Sequence, residues 1–117
     1  MVTAAVILGF IITPFQVSGG SMEPSYSDGD LIFVNRTARS FRVGDVIVLT
    51  HPDPADGRVL VKRIHAVAGD TVDNSFGVQY YTVPEGSVFV VGDNINDSLD
   101  SRTFGSVPIN LIIGRVL

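Results

Sequence analysis

The chain has 117 residues, 45% of them hydrophobic and 17% charged, a size and balance that suit one folded domain and exclude both a disordered tail and a second domain of ordinary size. Eight Lys and Arg against twelve Asp and Glu leave a net charge of −4, which argues against a phosphate backbone as partner, so nucleic-acid binding is not expected. Cysteine is absent, which removes a thiol nucleophile, a disulfide framework and a Cys-ligated zinc.

From Met1 to Ile12 every residue except Thr3 and Gly9 is apolar, and the first charge is Glu23. Twelve helical residues would span only about 18 Å of the ~30 Å hydrocarbon core, and Pro14 discourages unbroken helix beyond them. Residues 1–14 therefore read as an apolar N-terminal segment, the remnant of a membrane anchor in contact with membrane lipid. A peripheral apolar arm or buried strand is the competing reading. The basic n-region and small-x-small cleavage site of a secretory signal peptide are missing. Residues 15–117 are expected to form the folded domain.

Beyond Pro14, short apolar runs alternate with turn residues. The runs are Leu31–Val34, Val46–Leu49, Val59–Val61, Val78–Val83, Val88–Val91 and Leu111–Leu117. Ser27-Asp28-Gly29-Asp30, Val43-Gly44-Asp45, Pro52-Asp53-Pro54 and Pro84-Glu85-Gly86 punctuate them. Their β-branched content and spacing predict a mainly β fold, a compact barrel or folded sheet with little helix. No internal repeat and no convincing 3.6-residue period are present after the first dozen residues.

Lys62 is the single lysine, and it falls in a strand-like stretch, Val59-Leu60-Val61-Lys62-Arg63-Ile64. Alternation puts Leu60, Lys62 and Ile64 on one face and Val61 and Arg63 on the other. A snorkelling surface lysine is the plain reading. Burial would instead disfavour the ammonium, whose deprotonation at pH 7 otherwise costs about 4.6 kcal/mol. An amine so desolvated can serve as a general base, which an arginine cannot. A nucleophile for it is offered by Ser21, preceded by Gly19 and Gly20. Two glycines allow a sharp backbone path that leaves amide N–H groups open toward a developing oxyanion, although Gly-Gly-Ser taken alone is an ordinary flexible turn.

Taken together, Ser21-Met22-x-Pro24, Gly29-Asp30, Gly44-Asp45-Val46-Ile47-Val48, Val61-Lys62-Arg63-Ile64 with Gly69-Asp70, and Gly92-Asp93-Asn94 followed by Ser98-x-Asp100-Ser101-Arg102-x-x-Gly105 resemble the type I signal peptidase family, in order and in identity, from about Phe15 to Leu117. The resemblance implies a signal-peptidase-type β-barrel in which Ser21 is the nucleophile and Lys62 its general base, a Ser-Lys dyad needing no metal and no cofactor. It implies that Ser98 hydrogen-bonds and orients the lysine, and that Asp100 and Arg102 form a supporting pair. The oxyanion would rest on the Ser21 amide, with Gly19 standing where some members carry a serine that adds a hydroxyl. The implied activity is that of a membrane-associated serine endopeptidase removing N-terminal signal peptides from exported preproteins. Cleavage would follow small residues, with the substrate extended against an enzyme edge. The implied location is the cell membrane with the domain on its outer (trans) face. Because the final block also resembles mitochondrial inner-membrane peptidase subunits, the mitochondrial inner membrane is the alternative. Two departures stand out: only Thr71 to Thr82 fills the place of a sizeable bacterial insertion, and Ile95 replaces an arginine common after Gly-Asp-Asn.

Other assignments fit less well. His51 lies in a loop signature and His65 would face away from Lys62, so neither suits a His-based triad with Ser21. The acidic run from Asp93 to Asp100 has Ile95 at position three of an EF-hand loop and Ser98 where glycine is required. A LexA-like self-cleaving Ser-Lys peptidase shares the Gly-x-Ser-Met and Gly-Asp segments, but a repressor would not be expected to show the Gly92 to Arg102 block. A non-catalytic β-barrel partner subunit would keep the scaffold without a working dyad.

Overall fold

The computed structural model describes residues 11–73 and 79–117. Three of the turn signals close in one way. In Ser27–Asp30, Arg42–Asp45 and Val67–Asp70 the aspartate N–H donates to the carbonyl three residues back, at 3.0, 3.1 and 2.9 Å. The same aspartate's carboxylate accepts the N–H of that residue, at 2.8, 2.9 and 3.0 Å. Gly29, Gly44 and Gly69, each just before the aspartate, take φ of +89°, +95° and +89°, which a type II turn demands at its third position. The repeated Gly-Asp pairs are thus folding signals.

Between the turns run β1 (Ile12–Gln16), β2 (Leu31–Asn35), β3 (Val46–Thr50), β4 (Val59–Val67), β5 (Thr71–Val72), β6 (Tyr81–Thr82), β7 (Ser87–Val91), β8 (Val107–Pro108) and β9 (Ile112–Val116). Among the described residues after β1, helix is limited to α1 (Ser101–Phe104) and a 3₁₀ turn at Ile109–Leu111. Seven strands form one curled, half-barrel sheet in the order β1-β2-β9-β3-β4-β7-β8, and β5 and β6 make a separate hairpin. Every pairing is antiparallel.

β4 runs to Val67, past both the apolar run Val59–Val61 and the strand-like stretch ending at Ile64, because Lys62, Arg63 and His65 interrupt the apolar pattern without interrupting the strand. Its first half pairs with β3 from Val59 to Arg63, and its second half pairs with β7 from Arg63 to Val67. A register shift between Ile64 and Ala66 makes His65 the odd residue of a bulge, so Ile64 and Ala66 join different cores. β1 crosses the boundary expected between residues 14 and 15, with Pro14 opposite Phe33. The strand lies at the sheet's edge, where a missing N–H leaves no ladder bond unmade. In the expected strand Val78–Val83 the pairing covers Tyr81–Thr82; Val78 lies outside the described residues, as do residues 1–10. Among the described residues no helix is long and apolar enough to cross a membrane.

Both faces of the central strands are covered, which is why Val46–Leu49 is buried throughout. Ile47, Leu49, Ile64, Val88, Val90 and Val107 form one core, with Leu60 and Phe104 packed on it. Val17, Ile32, Val34 and Val48 form another across the sheet. A third cluster, Ala66, Val72, Val83, Phe89 and Val91, lies with Tyr81 at the β5–β6 hairpin. Lys62 sits opposite Ile47 in register, on the face of the first core.

Candidate active site

Alternation along β4 turns Lys62 inward with Leu60 and Ile64, and the side chain is only 3% exposed. Its Nζ donates to Ser21 Oγ at 2.8 Å and to Ser98 Oγ at 3.1 Å. Residues 41 and 36 positions apart in sequence thereby meet at one nitrogen. Burial pushes the Lys62 amine below its ordinary value. Arg102 and Arg58 push the same way, while the carboxylates of Asp100 and Asp97 pull against them.

The block from Ser98 to Arg102 seals the end of β7. Beyond the pairing of β7 with β8 at Ser87 and Val88, the N–H groups of Val90 and of Gly92, just past the strand's end, need acceptors. Ser101 Oγ accepts the first at 2.9 Å and Asp100 Oδ2 the second at 2.9 Å. Asp100 is fully buried, caps α1, and takes Arg102 in a fork at 2.9 and 2.8 Å. Burial opposes the charge, yet the bonds from Arg102, Gly92 N–H and Ser98 hold the carboxyl below its usual value.

That carboxylate fixes the direction of the hydrogen bonds around Lys62. Ser98 Oγ donates its single proton to Asp100 Oδ2 at 2.7 Å, leaving Ser98 only lone pairs to offer Lys62. Lys62 must donate to Ser98, so a neutral amine keeps its own lone pair for the Ser21 hydroxyl.

Ser21 is held from the other side by Asn94, whose N–H donates to the Ser21 carbonyl at 2.8 Å and whose side-chain amide donates to the Gly20 carbonyl at 3.0 Å. Unlike the three turn glycines, Gly92 has no positive φ. A Cβ there would fall onto Ser98 Oγ, 2.5 Å from Ser98 Cβ and 2.7 Å from the Ser21 carbonyl oxygen. Arg63 and Asp93 pair in a fork at 2.9 and 2.9 Å, which holds Asp93 below its usual value and fixes the start of the loop. Gly92, Asp93 and Asn94 stood in the motif, but only their neighbours in space reveal what they do.

Of the two oxyanion candidates, the Ser21 N–H has no hydrogen-bond partner among the described residues. The Gly19 N–H already donates to Asp28 Oδ1 at 2.7 Å. His51 accepts the Asp53 N–H at 3.0 Å, faces Asp56 at 3.7 Å and stacks edge-on to Phe104. His65 packs edge-on to Phe89. Among the described residues no group of His, Asp and Glu could hold a metal ion.

Next to Lys62 the sheet is open. β3 takes one edge of β4 from Val59 to Arg63, but β7 takes the other edge only from Arg63 onward. On that edge, among the described residues, Val59 and Val61 turn their N–H and C=O groups toward no other strand, just ahead of Lys62.

A family model described as signal peptidase, peptidase S26, matches residues 1–79 and 73–117. Mitochondrial inner membrane protease subunit 1 of Schizosaccharomyces pombe is 42% identical over 113 residues, covering 88% of this chain and 71% of that one. A probable signal peptidase I-1 of Synechocystis sp. is 31% identical over 147 residues, covering 100% of this chain and 75% of its own. The latter alignment exceeds the 117 residues of this chain, so the cyanobacterial protein carries insertions relative to it. A crystal structure of a signal peptidase I from Enterococcus faecalis superposes with a TM-score of 0.53 at 26% identity, covering 69% of this chain and 99% of that chain.

Proposed function

The chain belongs to the signal peptidase family, peptidase S26, and is a membrane serine endopeptidase that removes signal peptides; from that premise we propose that Ser21 is its nucleophile and Lys62 its general base. The observation that carries the reading is the 2.8 Å contact between Lys62 Nζ and Ser21 Oγ at an amine only 3% exposed.

The preprotein's signal-peptide end lies extended along that edge of β4 at Val59 and Val61, which brings a peptide carbonyl to Ser21. Neutral Lys62 takes the Ser21 proton as Oγ attacks that carbonyl, and the Ser21 N–H faces the oxygen that becomes negative. The ammonium then gives its proton to the departing amine, and water activated by the regenerated amine hydrolyses the acyl-enzyme. Ser98, with Asp100 behind it and Arg102 behind Asp100, keeps the lone pair of Lys62 on Ser21. Cleavage follows small residues, as the family resemblance implies. The apolar residues ahead of β1 attach the domain to lipid, on the outer face of the cell membrane or at the mitochondrial inner membrane.

Cleavage of a preprotein with an Ala-x-Ala site in detergent is the test. Ser21→Ala is expected to leave no measurable cleavage with unfolding unchanged, and Lys62→Arg to lose nearly as much because a guanidinium cannot accept the proton. The parent's rate should climb with pH through the lowered Lys62 value, since only the neutral amine works. Undiminished cleavage by Ser21→Ala, or by Lys62→Arg, would remove that residue from its role.

A further inference from the structure

The loop ahead of Ser21 is pinned at both ends. At its start, Val17 N–H donates to the Asp30 carbonyl at 2.8 Å and the Val17 carbonyl accepts from Gly29 N–H at 2.7 Å. At its end, the carbonyls of Gly20 and Ser21 are taken by Asn94 at 3.0 and 2.8 Å. Ser18 and Gly19 lie between, and among the described residues the one hydrogen bond that fastens them is Gly19 N–H to Asp28 Oδ1, at 2.7 Å. Packing does not help. A side chain at Gly19 would meet nothing within 4 Å, and the residue sits at φ +83°, a conformation that glycine followed by glycine leaves easily. Asp28 itself stands on firm support, inside the Ser27–Asp30 turn closed by two hydrogen bonds.

We propose that Asp28 is a positioning residue: by clamping the Gly19 N–H it aims the Ser21 amide at the carbonyl under attack. The inference rests on the reading of Ser21 as nucleophile. A carboxylate acceptor makes a stronger bond to an amide than a neutral group does, which suits a clamp on a two-glycine loop in solvent. It also assigns the Gly19 N–H a structural use, so the loop brings the Ser21 amide, and not the Gly19 amide, to the oxyanion.

The experiment compares Asp28→Ala and Asp28→Asn with the parent, as full chains in detergent, cleaving an Ala-x-Ala preprotein. Asp28→Ala should lower kcat about ten- to a hundredfold with KM nearly unchanged, because the amide matters most when charge develops on the carbonyl oxygen. Asp28→Asn should recover most of kcat, since its amide oxygen accepts the same N–H. A merely structural role would lower the thermal midpoint and leave kcat per folded molecule alone. If Asp28→Ala does not accumulate as folded protein, Asp28→Ser, too short to reach the amide, takes its place. The clamp is overturned by a kcat in Asp28→Ala equal to or above the parent's, or by an Asp28→Asn loss as deep as that of Asp28→Ala. Ser21→Ala separates the two readings: cleavage surviving in it removes the nucleophile assignment, whereas an inactive Ser21→Ala beside a fully active Asp28→Ala removes the clamp alone.

Discussion

Replacing Gly92 by alanine adds one methyl group at the point where β7, Ser98 and Ser21 converge. The new Cβ would lie on Ser98 Oγ, 2.5 Å from Ser98 Cβ and 2.7 Å from the Ser21 carbonyl oxygen. Ordinary carbon contacts need about 3.5 Å, so something must retreat by about 1 Å. Ser98 cannot do so without stretching its 3.1 Å bond from Lys62 or its 2.7 Å bond to Asp100, and Ser21 is held in place by Asn94. Overpacking of this kind costs about 1–3 kcal/mol of stability. Misplacing a reacting group by about 1 Å costs on the order of a hundredfold in rate. Because Gly92 has no positive φ, alanine adds no backbone strain, and the folded variant should survive with its activity depressed about a hundredfold. Steady-state cleavage of a signal-peptide substrate, alongside thermal unfolding, measures both effects. A Gly92→Ala enzyme as fast as the parent would refute the idea that Ser98 and Ser21 are held in register by the space this glycine leaves empty.

Two further substitutions probe the buried charges. A lysine whose folded value is depressed binds its proton more tightly when unfolded, so its contribution to stability rises with pH between the folded value and the ordinary one. Lys62→Met removes that dependence, and its gain in thermal midpoint over the parent should be larger near pH 6 than near about pH 10; an equal difference at both would contradict a desolvated amine. Arg102→Ala leaves the fully buried Asp100 without its forked partner, at a cost of about 3–5 kcal/mol. The Asp100 carboxyl lies below its usual value when folded, so its stabilisation is present at neutral pH and is lost as pH falls through that lowered value. In Arg102→Ala the fork no longer opposes burial of the carboxyl, so this acid loss should shrink, and the gap in urea unfolding midpoint between parent and variant should narrow as pH falls; a gap constant across the acid range would contradict the pairing.

What the sequence determined by itself was local. Alternation and turn chemistry gave the strands and the Gly-Asp turns, because a strand's side-chain period and a positive φ are properties of a few neighbouring residues. The lone lysine between Leu60 and Ile64 left a snorkelling surface amine and a buried one both open until the structure buried it, and the spaced motifs carried the family resemblance. Tertiary structure decided what depends on distance through space. β4 continued past Ile64 to Val67 because β7 claims its second half. β1 could include Pro14 because it lies on an edge. Asp28 proved to hold Gly19, and Asn94 to hold Gly20 and Ser21. Each of these joins residues that no short window of sequence contains, and a hydrogen bond between them exists only once burial of the apolar strands has brought their backbones together.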